Sequence, residues 1–366
     1  MGMGTVNVHT QNLKQGRIPG VERHFLFIGA ASKNTGLVHE LDQDSDIDDL
    51  LGTGHLVDNL LAARLNGDAN WSASAIGVAN ANEVDGAIDV AMEQDIDPEM
   101  IIITYPVANA GELNDLQAKA VEIENSHKQR VIILTCVAGI DNATQSWAEY
   151  LAEVKPIVDG VAAFRVGVVP NLHGNNLGVL AGRLSNRIAS IADSPMRVKT
   201  GALVGLGAPP LDKDSKPLPD ATLGALDKER FSVPQRYKGY EGMYWADGNL
   251  LDTVGGDYQV IENLRVMDKA ARAVRILLIG KVADRSLNST PISIATHERI
   301  FTKPLRAMAT TVNVAGETLP GEIKPPGDDA VTIQWKTRTE VEVYLNLTPY
   351  HCPKTLTANL ALKLGE

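Results

Sequence analysis

The sequence predicts an α/β fold: a mostly parallel sheet with flanking helices, followed by an α+β C-terminal part. Two observations predict it. From residue 24 to about 169, short apolar runs alternate with longer segments of helical spacing, a pattern that implies parallel strands covered on both faces. Beyond a proline-rich stretch at 209–219 the pattern changes to a long helix, a second helix and closing runs in which apolar and polar residues alternate singly. The length of 366 residues exceeds one average domain of roughly 100–200 residues, in keeping with two unlike parts.

The elements follow in order. Strands are expected at 24–28, 74–79, 100–107, 130–137 and 161–169, with helices between them at 56–65, 83–94, 111–127 and 145–154. A further helix is expected over 174–192, where Gly174, Gly178 and Gly182 recur every four residues. Glycine costs helix stability but lets another backbone approach closely, so the stripe predicts close packing. The stretch 209–219 (Pro-Pro-Leu-Asp-Lys-Asp-Ser-Lys-Pro-Leu-Pro) reads as an exposed loop or linker and as the best internal boundary. Two extended runs come next, at 230–237 and 241–246, then a long helix at 258–283. A second helix at 292–308 contains Pro304, which should kink or end it. In the strand at 341–347, Val341, Val343, Leu345 and Leu347 alternate with Glu342, Tyr344 and Asn346. After Pro349 and Pro353 the alternation resumes with Leu356, Ala358, Leu360, Leu362 and Leu364.

Composition excludes several classes. Lys plus Arg number 34 against 45 Asp plus Glu, a net charge of −11, which disfavours a nucleic-acid surface. The longest uncharged apolar stretch, 131–140, is ten residues, about half of the ~20 that a bilayer-spanning helix needs, so no membrane partner is expected. The opening Met1-Gly-Met-Gly-Thr-Val lacks a basic start and an apolar run, and Val6 stands where a myristoylation pattern requires Ser or Thr; no leader or lipid is expected. Two cysteines, Cys136 and Cys352, rule out a disulfide scaffold and suit a reducing cytoplasm during folding.

A search for chemistry yields little. No G-x-G-x-x-G follows the first strand and no G-x-x-x-x-G-K-[ST] occurs, so no nucleotide cofactor is expected. Cys136 sits near a strand's end, where a nucleophile could be displayed, and His173 occupies a comparable loop where a base could act. The bland readings are a small buried hydrophobe and a turn residue. No zinc spacing occurs. Asp42, Asp44 and Asp46 resemble the start of a calcium loop, but Ile47 and Thr53 stand where that loop needs glycine and glutamate. The run reads instead as a loop into a helix whose start suits Asp48 and Asp49. Neither a metal site nor a catalytic set is expected.

Two features point to assembly. On the long helix Val260, Leu264, Met267, Ala271, Val274 and Leu278 form an apolar stripe, while Arg265, Lys269 and Arg272, with Arg275 at the shoulder, form a basic stripe roughly opposite. Such a stripe is either a solvated face or a docking face for an acidic partner. At the chain ends, Val6 and Val8 make a short alternating segment, and the last strand is apolar on one face. Terminal strands pair at home or cross to a neighbour and extend its sheet.

The block Asn175-Asn-Leu-Gly-Val-Leu-Ala-Gly-Arg-Leu-Ser, its continuation through Ser190-Ile-Ala-Asp-Ser-Pro-Met-Arg-Val-Lys-Thr-Gly-Ala-Leu, the segment Tyr240-Glu-Gly-Met-Tyr-Trp-Ala-Asp-Gly and the run Val266-Met-Asp-Lys-Ala-Ala-Arg-Ala-Val-Arg resemble contractile phage tail sheath proteins, in a compact branch long labelled a domain of unknown function. The resemblance covers nearly the whole chain. It implies a structural subunit, not an enzyme, that polymerises as stacked six-membered rings around a tail tube protein and contracts to drive the tube through the host envelope. Baseplate and tail terminator proteins are implied as further partners, with assembly in the host cytoplasm and residence in the virion tail. It further implies an N-terminal linking arm at 1–22, an α/β body at 23–208, a loop or linker at 209–225, an inner α+β domain at 226–348 and a C-terminal linking arm at 349–366. Val6, Val8, Val343, Leu345, Leu356, Ala358, Leu360 and Leu362 would belong to the subunit-linking strands, and Arg265, Lys269, Arg272 and Arg275 would face the tube. The rival readings are an α/β enzyme using Cys136 or His173, and a non-contractile virion structural protein.

Overall fold

The chain, described by a computed structural model over residues 21–360 apart from Ala208 and Ala315, opens on a six-stranded sheet. Its strands are β1 (Phe25–Ala30), β2 (Val38–Asp42), β3 (Ser72–Val78), β4 (Met100–Pro106), β5 (Ile132–Val137) and β6 (Val166–Pro170), in the order β2-β3-β1-β4-β5-β6. Neighbours run parallel except β2, which is antiparallel to β3. The mostly parallel sheet is the one expected. β2 is absent from the sequence reading because, as an edge strand with only Leu41 buried, it carries no apolar run.

Six helices serve this half: α1 (Ile47–Leu51), α2 (His55–Asn66), α3 (Val84–Glu93), α4 (Ala110–His127), α5 (Trp147–Val158) and α6 (Asn176–Ser185). Period-two alternation assigns the strand side chains to two cores. Phe25 and Phe27, with Met100 and Ile102, pack against α1, α2 and α6. Leu26 and Ile28, with Ile101 and Ile103, pack against α3 and α4 on the other face.

The glycine stripe is close packing at two of its three positions. A Cβ on Gly178 would lie 2.1 Å from the Asn59 carbonyl oxygen, and one on Gly182 would lie 2.3 Å from that of Ala63, so α2 and α6 approach backbone to backbone. The Gly178 amide also donates to Asn59 Oδ1 at 2.7 Å. Gly174 lies outside the helix at φ +82, a turn conformation that suits glycine. α6 stops at Ser185, short of residue 192, because Asn186 turns the chain: its Oδ1 accepts from the Ile188 amide and its Nδ2 donates to the Asn66 carbonyl.

The remaining elements are α7 (Asp220–Lys228), the two-residue strands β7 (Pro234–Gln235) and β8 (Tyr244–Trp245), the long α8 (Ile261–Ile279), α9 (Pro291–Met308), the hairpin β9 (Val312–Val314) and β10 (Glu317–Leu319), and the ribbon β11 (Val331–Trp335) and β12 (Val341–Leu345). The proline-rich stretch does not separate two cores. Leu218, Leu223, Leu226, Phe231 and Leu251 join Trp147 and Tyr150 of α5 in one apolar cluster, and Asp212 folds the stretch on itself by accepting from the Asp214 and Lys216 amides. The cluster that stands apart lies further on: Val266, Ala270 and Val274 of α8, Phe301 and Leu305 of α9, and Val331 and Ile333 of β11. Composition marks a polar loop; it carries no information on which apolar residues share a core.

Pro304 neither ends α9 nor splits it in two. The residue four before it, Ile300, is on the exposed side of the helix. The carbonyl deprived of a partner therefore faces water, and the usual cost of an interior proline is reduced.

Candidate assembly surfaces

α8 joins the C-terminal part to the sheet, and charge does much of the joining. Arg265 Nε donates to Glu99 Oε1 at 2.6 Å and Nη2 to Oε2 at 2.9 Å, with a third bond to the Leu184 carbonyl at 3.1 Å. Both side chains are buried, 2% and 1% exposed. Burial pushes the Glu99 carboxyl up, but the Arg265 guanidinium and the Arg23 amide outweigh it and hold the group below its ordinary value. One turn on, Asp268 takes a bidentate bond from Arg165 at 2.8 and 3.1 Å, also buried. Lys269 donates to Glu322 at 2.6 and 2.7 Å, and Arg272 reaches Glu22 at 3.0 Å.

The basic stripe is therefore not an open face. Arg265, Lys269 and Arg272 are engaged within the chain, and Arg275 alone of the four is exposed. The helix is buried on two sides, by Leu264, Arg265 and Asp268 toward the sheet and by Val266, Ala270 and Val274 toward α9. Apolar periodicity finds only a side buried by apolar contact. A side buried by ion pairs has the composition of a surface.

Exposed cations lie one helix further. Arg299, Lys303 and Arg306 of α9 make no ion pair among the described residues, and together with Leu277, Thr296 and Ile300 they line an open depression of about 580 Å³. The sequence reading missed them although their spacing puts them on one helical side. His297, Phe301 and Leu305, buried on the opposite side, are what turns these three outward.

The β11–β12 ribbon carries the second surface. Its register pairs Ile333 with Val343 and Val331 with Leu345. Bonds from the Lys336 amide to the Glu340 carbonyl and from the Asn346 amide to the Ala330 carbonyl fix which pairs are bonded. By the alternation of an antiparallel ladder, the backbone groups of Val341, Val343 and Leu345 then point away from β11. On the β11 side the Ile333 amide is taken by Glu298 Oε1 at 3.1 Å. On the β12 side no strand follows among the described residues, and the edge is open.

Family profiles match the chain nearly end to end: DUF2586, N-terminal domain, over residues 3–249, and DUF2586, C-terminal domain, over residues 257–365. The chain is 42% identical, over 371 aligned positions, to a protein of Haemophilus phage HP1 (strain HP1c1) named for a tail sheath, with 99% of this chain and 98% of that one covered. The chain belongs to this tail sheath family.

Solved structures agree on the fold. A chain from the cryo-EM structure of the anti-feeding prophage baseplate superposes with a TM-score of 0.60 at 11% identity, covering 100% of both chains. The sheath tail protein of Desulfitobacterium hafniense gives 0.56 at 9% identity, covering 94% of this chain and 96% of that one. The sheath tail protein of Listeria innocua gives 0.54 at 9% identity, over 90% and 92%.

Within this sheath chain, the residues assigned to linking strands fall into three groups. Val343 and Leu345 are half-buried against the α8–α9 cluster. Leu356, Ala358 and Leu360 are exposed, Leu356 at 83% and Leu360 at 99%, in a segment that forms no strand. Val6, Val8 and Leu362 lie outside the described residues. Just before the exposed segment, Lys354 Nζ donates to Asp247 Oδ2 at 2.5 Å and to Glu262 Oε1 at 2.9 Å. Burial raises the Glu262 carboxyl despite the Lys354 ammonium. No local pattern reveals this cluster, because its members are far apart in sequence.

The residues of the rival reading sit in the bland positions. Cys136 is buried on β5, its thiol donates to the Thr104 carbonyl, and burial pushes its pKa up to about 12. A thiol so held stays protonated. His173 borders a cavity of about 310 Å³ with Leu203, Leu206 and Arg236 and bonds Asn176; burial lowers its pKa against that bond. In the acidic run, Asp42 accepts from the Asp44 amide and the Ser45 hydroxyl, and Asp46 caps α1 by accepting from the Asp49 amide.

Proposed function

We propose that this chain is the repeating subunit of a contractile tail sheath, polymerising as stacked hexameric rings around a tail tube and shortening to drive the tube through the host envelope during genome delivery. The observation that carries the reading is the open β12 edge in a chain whose C-terminal segment is alternately apolar and exposed. An exposed alternating segment and an open edge, each without a strand partner among the described residues of one copy, satisfy each other between copies. Each backbone bond nets about 0.5–1.5 kcal/mol, so an added strand contributes a few kcal/mol before its leucines are buried, and a lattice multiplies that.

In this reading residues 1–22 and 349–366 are the linking arms; the body runs from 23 through 251, whose residues 218–251 pack with α5, and the inner domain is the cluster of α8, α9 and β11 beyond it. The surface facing the tube is that of Arg299, Lys303 and Arg306 on α9, while Arg265, Lys269 and Arg272 hold α8 in place and Arg275 lies on their side of that helix. Tube, baseplate and tail terminator are the further partners. Contraction requires no nucleotide when the extended lattice is kinetically trapped above the contracted one and the difference is released as new interfaces form.

Deletion of residues 356–366 tests the reading. Soluble, folded protein that forms no tubes by negative-stain electron microscopy is expected; tubes of normal appearance refute it.

A further inference from the structure

The C-terminal segment is held to its own subunit by backbone at Thr348 and Pro349 and by an ion pair at Lys354, with Cys352 between them bonded to the Ser194 backbone. At the first, the Lys324 amide donates to the Thr348 carbonyl at 2.8 Å, and Ile323 bridges Pro349. At Lys354 the ammonium lies between carboxylates of two different elements. Asp247 belongs to the turn after β8, where its other oxygen accepts from Ser194 Oγ and the Gly248 amide. Glu262 lies in the first turn of α8 and is 8% exposed, with a buried Oε2 that has no hydrogen-bond partner. Residues 350–360 are all exposed, but after Lys354 none of residues 355–360 makes a hydrogen bond or ion pair among the described residues.

We infer that Lys354 is the positioning residue of the linking arm: it fixes the arm's root on the donor subunit, so that the exchanged segment begins at Thr355. The inference rests on the reading of this segment as an arm. Its physical basis is the carboxylate pair. Two acids in one largely buried site repel each other and are costly to desolvate, and among the described residues Lys354 is the cation bonded to both. A subunit whose arm lifted off from Pro349 onward would leave both acids uncompensated, whereas one whose arm leaves after Lys354 keeps them paired. From Thr355 to the chain end, at about 3.3 Å per residue, an extended arm still reaches roughly 40 Å. The clamp also directs load. A pull on the arm arrives at the first turn of α8, which is bound to the sheet through Arg265–Glu99 and Asp268–Arg165, rather than at β12, which a pull would strip from β11.

Limited proteolysis of the full chain with chymotrypsin, read by mass spectrometry, locates the root. In the wild type, cleavage after Leu356 and Leu360 is expected first, with slow cleavage after Tyr350, whose side chain is exposed but whose backbone is tied down on both sides, at Thr348 and at Lys354. Lys354→Met should speed cleavage after Tyr350 roughly tenfold or more, and Lys354→Arg should restore the slow rate. Because Lys354→Met leaves two buried acids, the double variant Lys354→Met, Glu262→Gln relieves that strain. It should fold as the wild type, still be cut fast at Tyr350, and lose regular tubes. An unchanged rate at Tyr350 in Lys354→Met overturns the inference, as do full-yield regular tubes from the double variant. Tubes from the 356–366 deletion would instead overturn the arm reading, in a separate assay.

Discussion

The six-stranded sheet is built from continuous apolar runs and the β11–β12 ribbon from alternating ones, and among the described residues only the sheet is complete. Every inner strand of the sheet has two neighbours and two covered faces; of its two edge strands β2 is polar, and β6 is covered by the Ser232 and Leu251 amides, which donate to its Val168 and Val166 carbonyls. The ribbon has two strands, one covered face and an open edge at β12. A two-stranded ribbon is marginal without a third strand or a packed layer. Here α8 and α9 supply the layer, and no third strand is present among the described residues. In the proposed reading the contrast separates the part of the chain that folds for itself from the part that assembly would finish.

The joint between the two regions is the most damaging place to break that contrast. Arg265→Ala leaves Glu99 buried and unpaired, so a loss of about 3–5 kcal/mol is expected in denaturant unfolding. The same pair sets an acid limit. Glu99 is held below its ordinary 4.5, so its contribution is complete above about that pH and is lost as the pH falls through the lower folded value. In Glu99→Gln the acid limb of the stability profile should flatten.

A smaller effect, confined to the sheet region, is expected from Gly178→Ala. The new methyl meets the Asn59 carbonyl oxygen and Cα, backbone that cannot retreat, and about 1–3 kcal/mol should be lost, measured by thermal unfolding. An unchanged melting temperature would mean that α2 and α6 slide apart freely.

The ribbon should respond in the opposite sense. Val343→Pro removes an amide that points away from β11, so the single chain should lose less than about 1 kcal/mol while tube formation fails. Sedimentation and electron microscopy read this split between fold and assembly; normal tubes would show that the β12 edge is not where a neighbour adds. Least effect on the monomer, within about 0.5 kcal/mol, is expected from Arg299→Glu with Lys303→Glu, whose side chains are exposed. Co-assembly on the tube should weaken more than self-assembly does, and undiminished co-assembly would remove α9 from the tube-facing surface.

Particular residues show how far the sequence could be read. Phe25-Leu-Phe-Ile and Met100-Ile-Ile-Ile declare strands buried on both faces, because a continuous apolar run has no exposed side to offer. Gly178 and Gly182 announce a close approach, though not that α2 is what approaches. The α8 cations mislead for a definite reason. Arg265 carries the composition of a surface residue and becomes a core residue only because Glu99 lies opposite it, 166 positions away. The exposed set on α9 was equally present in the sequence, and nothing local distinguished it from the engaged one.

By itself the sequence determined the buried parallel strands of the sheet and the helices between them, the two long helices of the C-terminal part, and a C-terminal segment apolar on alternate residues. These follow from local periodicity and from what each side chain does to its own backbone; β2, α7 and β9 to β11 are absent from the sequence reading. Tertiary structure decided which cations are spent inside the chain, which edge of the ribbon stays open, and where Lys354 ties the last segment down. Those outcomes depend on pairs of residues far apart along the chain, and an ion pair or a ladder bond acquires its energy only when folding brings both partners out of water together.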